Sequence, residues 1–187
     1  MERRDLIKMI ALATGGVFVG GGLLTGCRTD ASLGGAVFSE ADISFLDEVA
    51  ETILPATKTP GAKAAKVADL MKIMVNDTYT VKDQKIFHDG ILTLNEASKK
   101  ANGKSFVKSA ATERTALLVS IDKEAKDYQK NKKDTDGSHY FTMMKQLTML
   151  GFFTSKEGAT QALRYVAVPG RYDGNFPYKK GDKAWAT

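Results

Sequence analysis

Residues that build catalytic and structural centres are scarce in this chain of 187 residues. It has one cysteine and two histidines, His88 and His139, about fifty positions apart. A disulfide needs a second cysteine, and covalent haem needs a Cys-x-x-Cys-His motif. A zinc or copper site needs His, Cys or carboxylate ligands at suitable spacing, which neither histidine has. We therefore predict no catalytic, cofactor-binding or metal-binding residues in this chain.

Two other possible chemical signals have simpler explanations. The glycines between residues 15 and 26 do not follow a strand pattern, so they do not indicate a dinucleotide-binding loop. Three methionines fall within one predicted helix, and we expect them in the core rather than on copper; they are Met143, Met144 and Met149.

The first 26 residues have the composition of an export signal. Arg3 and Arg4 precede an apolar stretch of about sixteen residues that contains five glycines. A permanent membrane span needs about 20 apolar residues, and the glycines lower the hydrophobicity further. A paired arginine before a weakly hydrophobic stretch resembles a twin-arginine signal, which is read by the twin-arginine translocase. The alternative is an uncleaved signal anchor.

Cys27 ends the sequence Leu-Thr-Gly-Cys, which resembles a lipoprotein cleavage box. Lipidation there would use the one thiol and anchor the new N-terminus to a membrane. Residues 27–38 are small and polar enough to be the tether. We expect the protein on the periplasmic side of the membrane, with the outer membrane favoured in a two-membrane bacterium because Arg28 follows the cysteine.

The charge of the chain is only modestly basic. After residue 26 it has 24 basic and 20 acidic residues, spread along lysine-rich helix faces. Nucleic-acid-binding proteins concentrate basic residues in a patch or stripe. We therefore predict no nucleic-acid partner.

Apolar residues from Ser39 onward recur at helical spacing and predict an all-α fold. Start and stop signals mark the first and third helices: Ser39 with Asp42, Pro55, Thr80 with Asp83, and Gly103. The fourth helix is predicted to face inward with Ala116, Leu117, Ile121 and Ala125. The fifth is predicted to do so with Phe141, Met144, Leu147 and Leu150. We predict a single domain over 39–187 that consists of a bundle of five to six helices and a C-terminal tail. The predicted helices lie near 39–54, 67–75, 80–101, 110–131 and 139–152, and a short sixth helix is capped by 154–157.

The helical periodicity disappears at about residue 164, which predicts an extended C-terminal arm. Aromatic and arginine side chains are enriched at protein interfaces. We therefore predict partner docking through Tyr165, Arg171, Tyr172, Phe176, Tyr178 and Trp185. The alternative is that the arm folds back over its own bundle. The corner at 151–158 is either a tight turn between helices or a second docking element.

Four segments resemble the gluconate 2-dehydrogenase subunit 3 family. They are ETILP at 51–55, TPGA at 59–62, LTMLGFFTSKEG at 147–158 and PGRYDG at 169–174. The similarity extends from about Ile43 to Trp185. Members often have a cysteine after the last segment, where this chain has Asn175, so any disulfide formed by that cysteine is absent here.

The resemblance implies a non-catalytic small subunit of a periplasmic dehydrogenase that acts on gluconate, a sugar or a polyol. Its large subunit would be a flavoprotein of the glucose-methanol-choline oxidoreductase type, so FAD is expected in the partner. A cytochrome c subunit is a further partner that the resemblance allows. Because the twin-arginine route exports folded proteins, the small subunit is also expected to escort the large one. The alternative is a stand-alone lipoprotein whose helices bind a small ligand.

Overall fold

The computed structural model describes residues 37–133 and 135–186. Arg3, Arg4 and Cys27, and with them the predicted signal and most of the tether, lie outside the described residues. The described part contains five α-helices, one 3₁₀-helix, one π-helix and two short strands. They are α1 (Glu40–Ile53), α2 (Val67–Thr78), α3 (Val81–Asn102), the 3₁₀-helix (Phe106–Lys108), α4 (Ala111–Asn131), α5 (Tyr140–Thr154), the π-helix (Gly158–Ala162), β1 (Arg164–Tyr165) and β2 (Trp185–Ala186). The all-α prediction is confirmed, with a small two-stranded sheet that was not predicted.

Local capping explains where α1 begins and where α3 begins and ends. The Ser39 hydroxyl accepts a hydrogen bond from the Asp42 N–H at 3.2 Å, and the Asp42 carboxylate accepts one from the Ser39 N–H at 2.9 Å. The Thr80 hydroxyl caps α3 by accepting a hydrogen bond from the Asp83 N–H at 3.2 Å. Gly103 ends α3 in the left-handed region at φ 69°, which glycine adopts without steric cost.

Helix α5 lies at the centre of the bundle and contacts each of the other four helices. The buried core combines side chains from all five helices and from the 3₁₀-helix. The largest fully buried side chains are Phe87, Phe106, Phe141, Leu46, Met71, Leu94 and Met144. Phe106 was not predicted to be in the core; its ring packs against Phe45 at 5.5 Å between centroids.

The prediction that a residue lies in the core is wrong at three positions. Ala116 is exposed while Leu118 is buried, and Leu150 and Met149 are 46% and 40% exposed. In α4 the adjacent leucines 117 and 118 allow two phases of one pattern, and packing selects the phase of Leu118. In α5 apolar residues occur on nearly every side, so their spacing does not identify the buried face.

The packed part of the chain includes Phe38, at the end of the predicted tether. This side chain is 5% exposed, and its ring lies 6.0 Å from Phe87 and 4.1 Å from His88 between centroids. None of the helices in the described ranges combines the length and the apolar character that a membrane span requires.

Candidate functional site

A tight corner after α5 directs the chain into its C-terminal segment. The Ser155 hydroxyl accepts a hydrogen bond from the Gly158 N–H at 3.0 Å and donates one to the Phe152 carbonyl at 2.7 Å. A side chain at Gly158 would collide with that carbonyl, and Gly151 lies buried against Val67 of α2. These contacts favour the tight-turn interpretation of the 151–158 corner.

The arm, defined here as residues 164–186, closes on itself. Strands β1 and β2 pair in parallel, with Arg164 opposite Trp185 and Tyr165 opposite Ala186. The Arg164 N–H donates to the Ala184 carbonyl at 2.8 Å, and the Val166 N–H donates to the Ala186 carbonyl at 2.9 Å. The arm is therefore a closed loop, where an extended segment was predicted. Strands of two residues have no alternating pattern that a sequence could display.

Arg164 joins the two ends of this loop through aromatic contacts. Its guanidinium carbon lies 4.4 Å from the centroid of the Trp185 ring and 5.6 Å from that of Phe176. The two rings meet edge to face at 5.3 Å, and the Asp182 carboxylate lies 4.0 Å from the guanidinium. Cation–π contacts of this kind contribute about 0.5–1 kcal/mol each at exposed sites.

All six predicted docking residues are exposed. The exposed fraction is 95% for Tyr172, 76% for Tyr178 and about half for the remaining aromatic residues; Arg171 is also exposed. The structure thus leaves these side chains uncovered by the bundle, which disfavours the folded-back alternative. An apolar groove of about 400 Å³ runs along the arm, lined by Val166, Pro169, Arg171, Tyr172, Asp173, Phe176 and Trp185.

The two histidines make local packing contacts. His139 caps α5: its Nδ1 accepts a hydrogen bond from the Phe141 N–H at 3.2 Å, and its ring stacks on Tyr140. Burial lowers the pKa of His139 below its ordinary value, although the nearby Glu124 carboxylate opposes this shift. His88 packs against Phe38. Within residues 37–133 and 135–186, no group of three or more His, Cys or carboxylate side chains could hold a metal ion.

Arg164 is a residue of the arm that sequence reasoning missed. Its importance depends on Trp185, which is twenty-one positions away along the chain. Neither residue belongs to a recognisable local motif, so only the closure of the loop identifies the pair. The same closure brings Asp182 close to the guanidinium of Arg164.

Comparison with known protein families gives a match over most of the chain. The family model described as Gluconate 2-dehydrogenase subunit 3 matches residues 40–170, or 131 of the 187 residues. The matched range contains the five helices of the bundle and β1 and ends inside the arm. Of the six predicted docking residues, only Tyr165 lies within it. No curated protein and no solved structure matches the chain significantly.

Proposed function

The chain belongs to the gluconate 2-dehydrogenase subunit 3 family, and from this premise we propose that it is a non-catalytic accessory subunit of an exported flavin-dependent dehydrogenase. The observation that carries the proposal is the family match across the whole bundle. A subunit of such a complex has a catalytic partner. We propose that this partner is a flavoprotein of the glucose-methanol-choline type, that it holds FAD, and that it oxidises gluconate, a related sugar or a polyol.

Three observations support a role in assembly rather than in chemistry. The two histidines are engaged in packing contacts. The described part of the chain offers no cluster of metal ligands. The arm presents aromatic and cationic side chains to solvent, as interfaces commonly do. In this proposal the substrate, the flavin and the proton-transferring groups all belong to the catalytic subunit. A cytochrome c subunit would accept the electrons in complexes that contain one.

We propose further that the chain escorts its partner during export. The arginine pair and the weakly apolar stretch of the N-terminal segment support recognition by the twin-arginine translocase, which accepts folded cargo. Cys27 would then anchor the complex to the periplasmic side of the membrane through lipid.

The escort role is tested by replacing the arginine pair, Arg3→Lys with Arg4→Lys, in cells that also make the catalytic subunit. We expect both chains to remain in the cytoplasm. The variant Lys8→Arg is the matched control, because it changes a neighbouring cation without changing charge, and it should export both chains. Normal export of the flavoprotein with the doubly substituted chain would contradict the escort role. Separately, Cys27→Ala should move the exported complex from the membrane to the soluble periplasmic fraction.

The second candidate is a stand-alone lipoprotein that binds a small ligand, although the groove that could hold the ligand lies on the arm and not between helices as predicted. The apolar groove of about 400 Å³ on the arm is the observation that favours it, because small-ligand sites are typically concave and apolar. It predicts a monomer that purifies without a flavoprotein. Co-purification with a flavoprotein in a fixed ratio would reject it.

A further inference from the structure

We propose that the closed arm docks as one pre-ordered unit on an acidic patch of the catalytic subunit, and that Arg164 is the positioning residue that keeps the arm in its docking form. This inference rests on the proposed function. It adds the surface through which the chain docks, the acidic character of the partner surface, and Arg164 as the residue that keeps the docking surface ordered. The outcomes below distinguish its failure from the failure of the proposed function.

The exposed aromatic surface of the arm is large enough for a specific interface. The exposed fractions of its five aromatic side chains range from 49% for Phe176 to 95% for Tyr172. With about 200 Å² for each side chain, these fractions amount to roughly 650 Å². One partner in a standard interface contributes about 800 Å². The arm alone therefore offers most of one side of such an interface.

The charge of the arm indicates an acidic complement. Residues 164–186 contain five Lys or Arg and two Asp, so their net charge is +3. Both carboxylates have partners within the arm: Asp182 accepts a hydrogen bond from the Lys179 N–H at 2.9 Å, and Asp173 accepts one from the Asn175 N–H at 3.1 Å. Complementary potentials speed encounter and fix the orientation of two proteins, and their effect weakens as salt is added.

The closure of the loop reduces the entropy that docking must remove. Nineteen residues separate β1 from β2. Without the contacts of Arg164 with Trp185 and Phe176, fewer interactions would hold the ends together. The short strand pairing, the edge-to-face contact of Phe176 with Trp185, and the hydrogen bond from the Lys183 ammonium to the Gln161 carbonyl would remain. Immobilising a flexible segment on binding costs affinity, and ordering it beforehand avoids part of that cost. Arg164 therefore affects docking without having to touch the partner.

The aromatic contribution is tested with the full chain, purified with its lipid anchor in mild detergent, and the catalytic subunit purified from the same complex. Tyr172→Ala and Tyr178→Ala should each raise the Kd by about ten-fold or more, as central aromatic anchors do. The control is Leu92→Ala, since Leu92 is 66% exposed on α3, outside the arm. It should leave the Kd within about two-fold of the unsubstituted chain. Arm variants that bind as tightly as this control would overturn the proposal.

The proposed acidic patch on the catalytic subunit is tested by reversing the charge of two neighbouring lysines in the arm and, as a control, of two neighbouring lysines outside it. Lys179→Glu with Lys180→Glu should raise the Kd by about ten-fold or more at about 50 mM salt, with a smaller effect at about 300 mM because of screening. Lys99→Glu with Lys100→Glu makes the same change in net charge at the end of α3 and serves as the control. Equal effects of the two pairs would mean that overall charge, and not an acidic complement to the arm, governs binding.

The role of Arg164 is tested through the single tryptophan of the chain, Trp185. Because the indole ring is already 51% exposed, Arg164→Ala should uncover more of it and raise its quenching by acrylamide by up to about two-fold, while far-UV circular dichroism stays unchanged. The Kd for the catalytic subunit should rise about ten-fold. Arg164→Lys keeps a cation but loses the planar group. Its quenching and its Kd should therefore lie between those of the unsubstituted chain and those of Arg164→Ala. Increased quenching with an unchanged Kd would refute the positioning role.

Two further outcomes separate the possibilities. If the unsubstituted chain does not bind any flavoprotein, the proposed function fails and this inference fails with it. If the unsubstituted chain binds but the arm variants bind equally well, only the docking surface is wrong. Vesicles with about one-third anionic lipid provide the last comparison. Arm-dependent binding to vesicles together with arm-independent binding to the flavoprotein would assign the arm to the membrane surface and overturn the inference.

Discussion

Replacing Gly90 with alanine tests how closely α3 packs against α5. Gly90 is buried in α3, and a Cβ there would lie 2.6 and 2.7 Å from Cγ and Cδ2 of Tyr140, and still closer to its Cβ. Carbon atoms in favourable contact are about 3.5–4.0 Å apart. The Cβ of Tyr140 is fixed to the backbone, so rotation of the ring cannot relieve the overlap.

Two opposing effects determine how much Gly90→Ala changes the free energy of unfolding. Alanine stabilises a helix interior relative to glycine by about 1 kcal/mol. Overpacking of a core contact costs about 1–3 kcal/mol, and an overlap of about 1 Å on a backbone-bound atom places the cost toward the upper end. The expected net loss is about 1–2 kcal/mol. For a domain of this size it corresponds to a decrease in Tm of about 3–6 °C.

The assay is thermal and urea unfolding of the full chain followed by far-UV circular dichroism. Gly103→Ala is the comparison, because glycine is needed at Gly90 for space and at Gly103 for its backbone conformation. Gly103 has φ 69°, and a Cβ there would meet nothing within 4 Å. It should lose about 1 kcal/mol, and Gly103→Asn should recover part of that loss, since asparagine tolerates the left-handed region. A Gly90→Ala protein as stable as the unsubstituted chain, or more stable, would refute the close packing of α3 on Tyr140.

Two other predictions concern the polar contacts of the bundle. Because burial lowers the pKa of His139 in the folded state below its ordinary value of 6.5, its contribution to stability is full well above pH 6.5 and is lost as the pH falls through 6.5 toward the folded-state pKa. The midpoint of urea unfolding should follow this pH dependence, and His139→Asn, which can still cap α5, should show less of it between about pH 7.5 and 5.5. Arg114→Met should cost about 2 kcal/mol in the same unfolding assay, since the Arg114 guanidinium donates to the Glu48 carboxylate and to the carbonyls of Ser109 and Val107 at 3.0 and 2.9 Å. A loss no larger than that of the exposed variant Lys130→Met would contradict this.

Much of the bundle could be predicted from the sequence because of the helical spacing of its apolar residues and because α1 and α3 begin on local signals. The Ser39 and Thr80 caps and the Gly103 terminus act within one helical turn, and the structure contains each of them. The choice between Leu117 and Leu118 depends on which neighbouring helices approach α4. That information is tertiary, so a single sequence does not contain it in readable form. The burial of Phe106 on a short 3₁₀-helix was missed for the same reason.

For the arm, the sequence indicates the kinds of exposed residue but not the conformation of the chain. Composition alone predicts that its aromatic residues and Arg171 belong to an interface, and the structure leaves them exposed. Its closed form could not be predicted. The pairing of β1 with β2 involves two residues on each side, and the Arg164 contact with Trp185 joins positions that share no local pattern.

The most direct test of the accessory-subunit assignment is to purify the full chain from its native membrane in mild detergent. The absorption spectrum and the masses of the co-eluting proteins should be recorded together. We expect a flavin absorption band and a flavoprotein companion in a fixed ratio to this chain. A colourless chain that elutes alone would contradict the assignment.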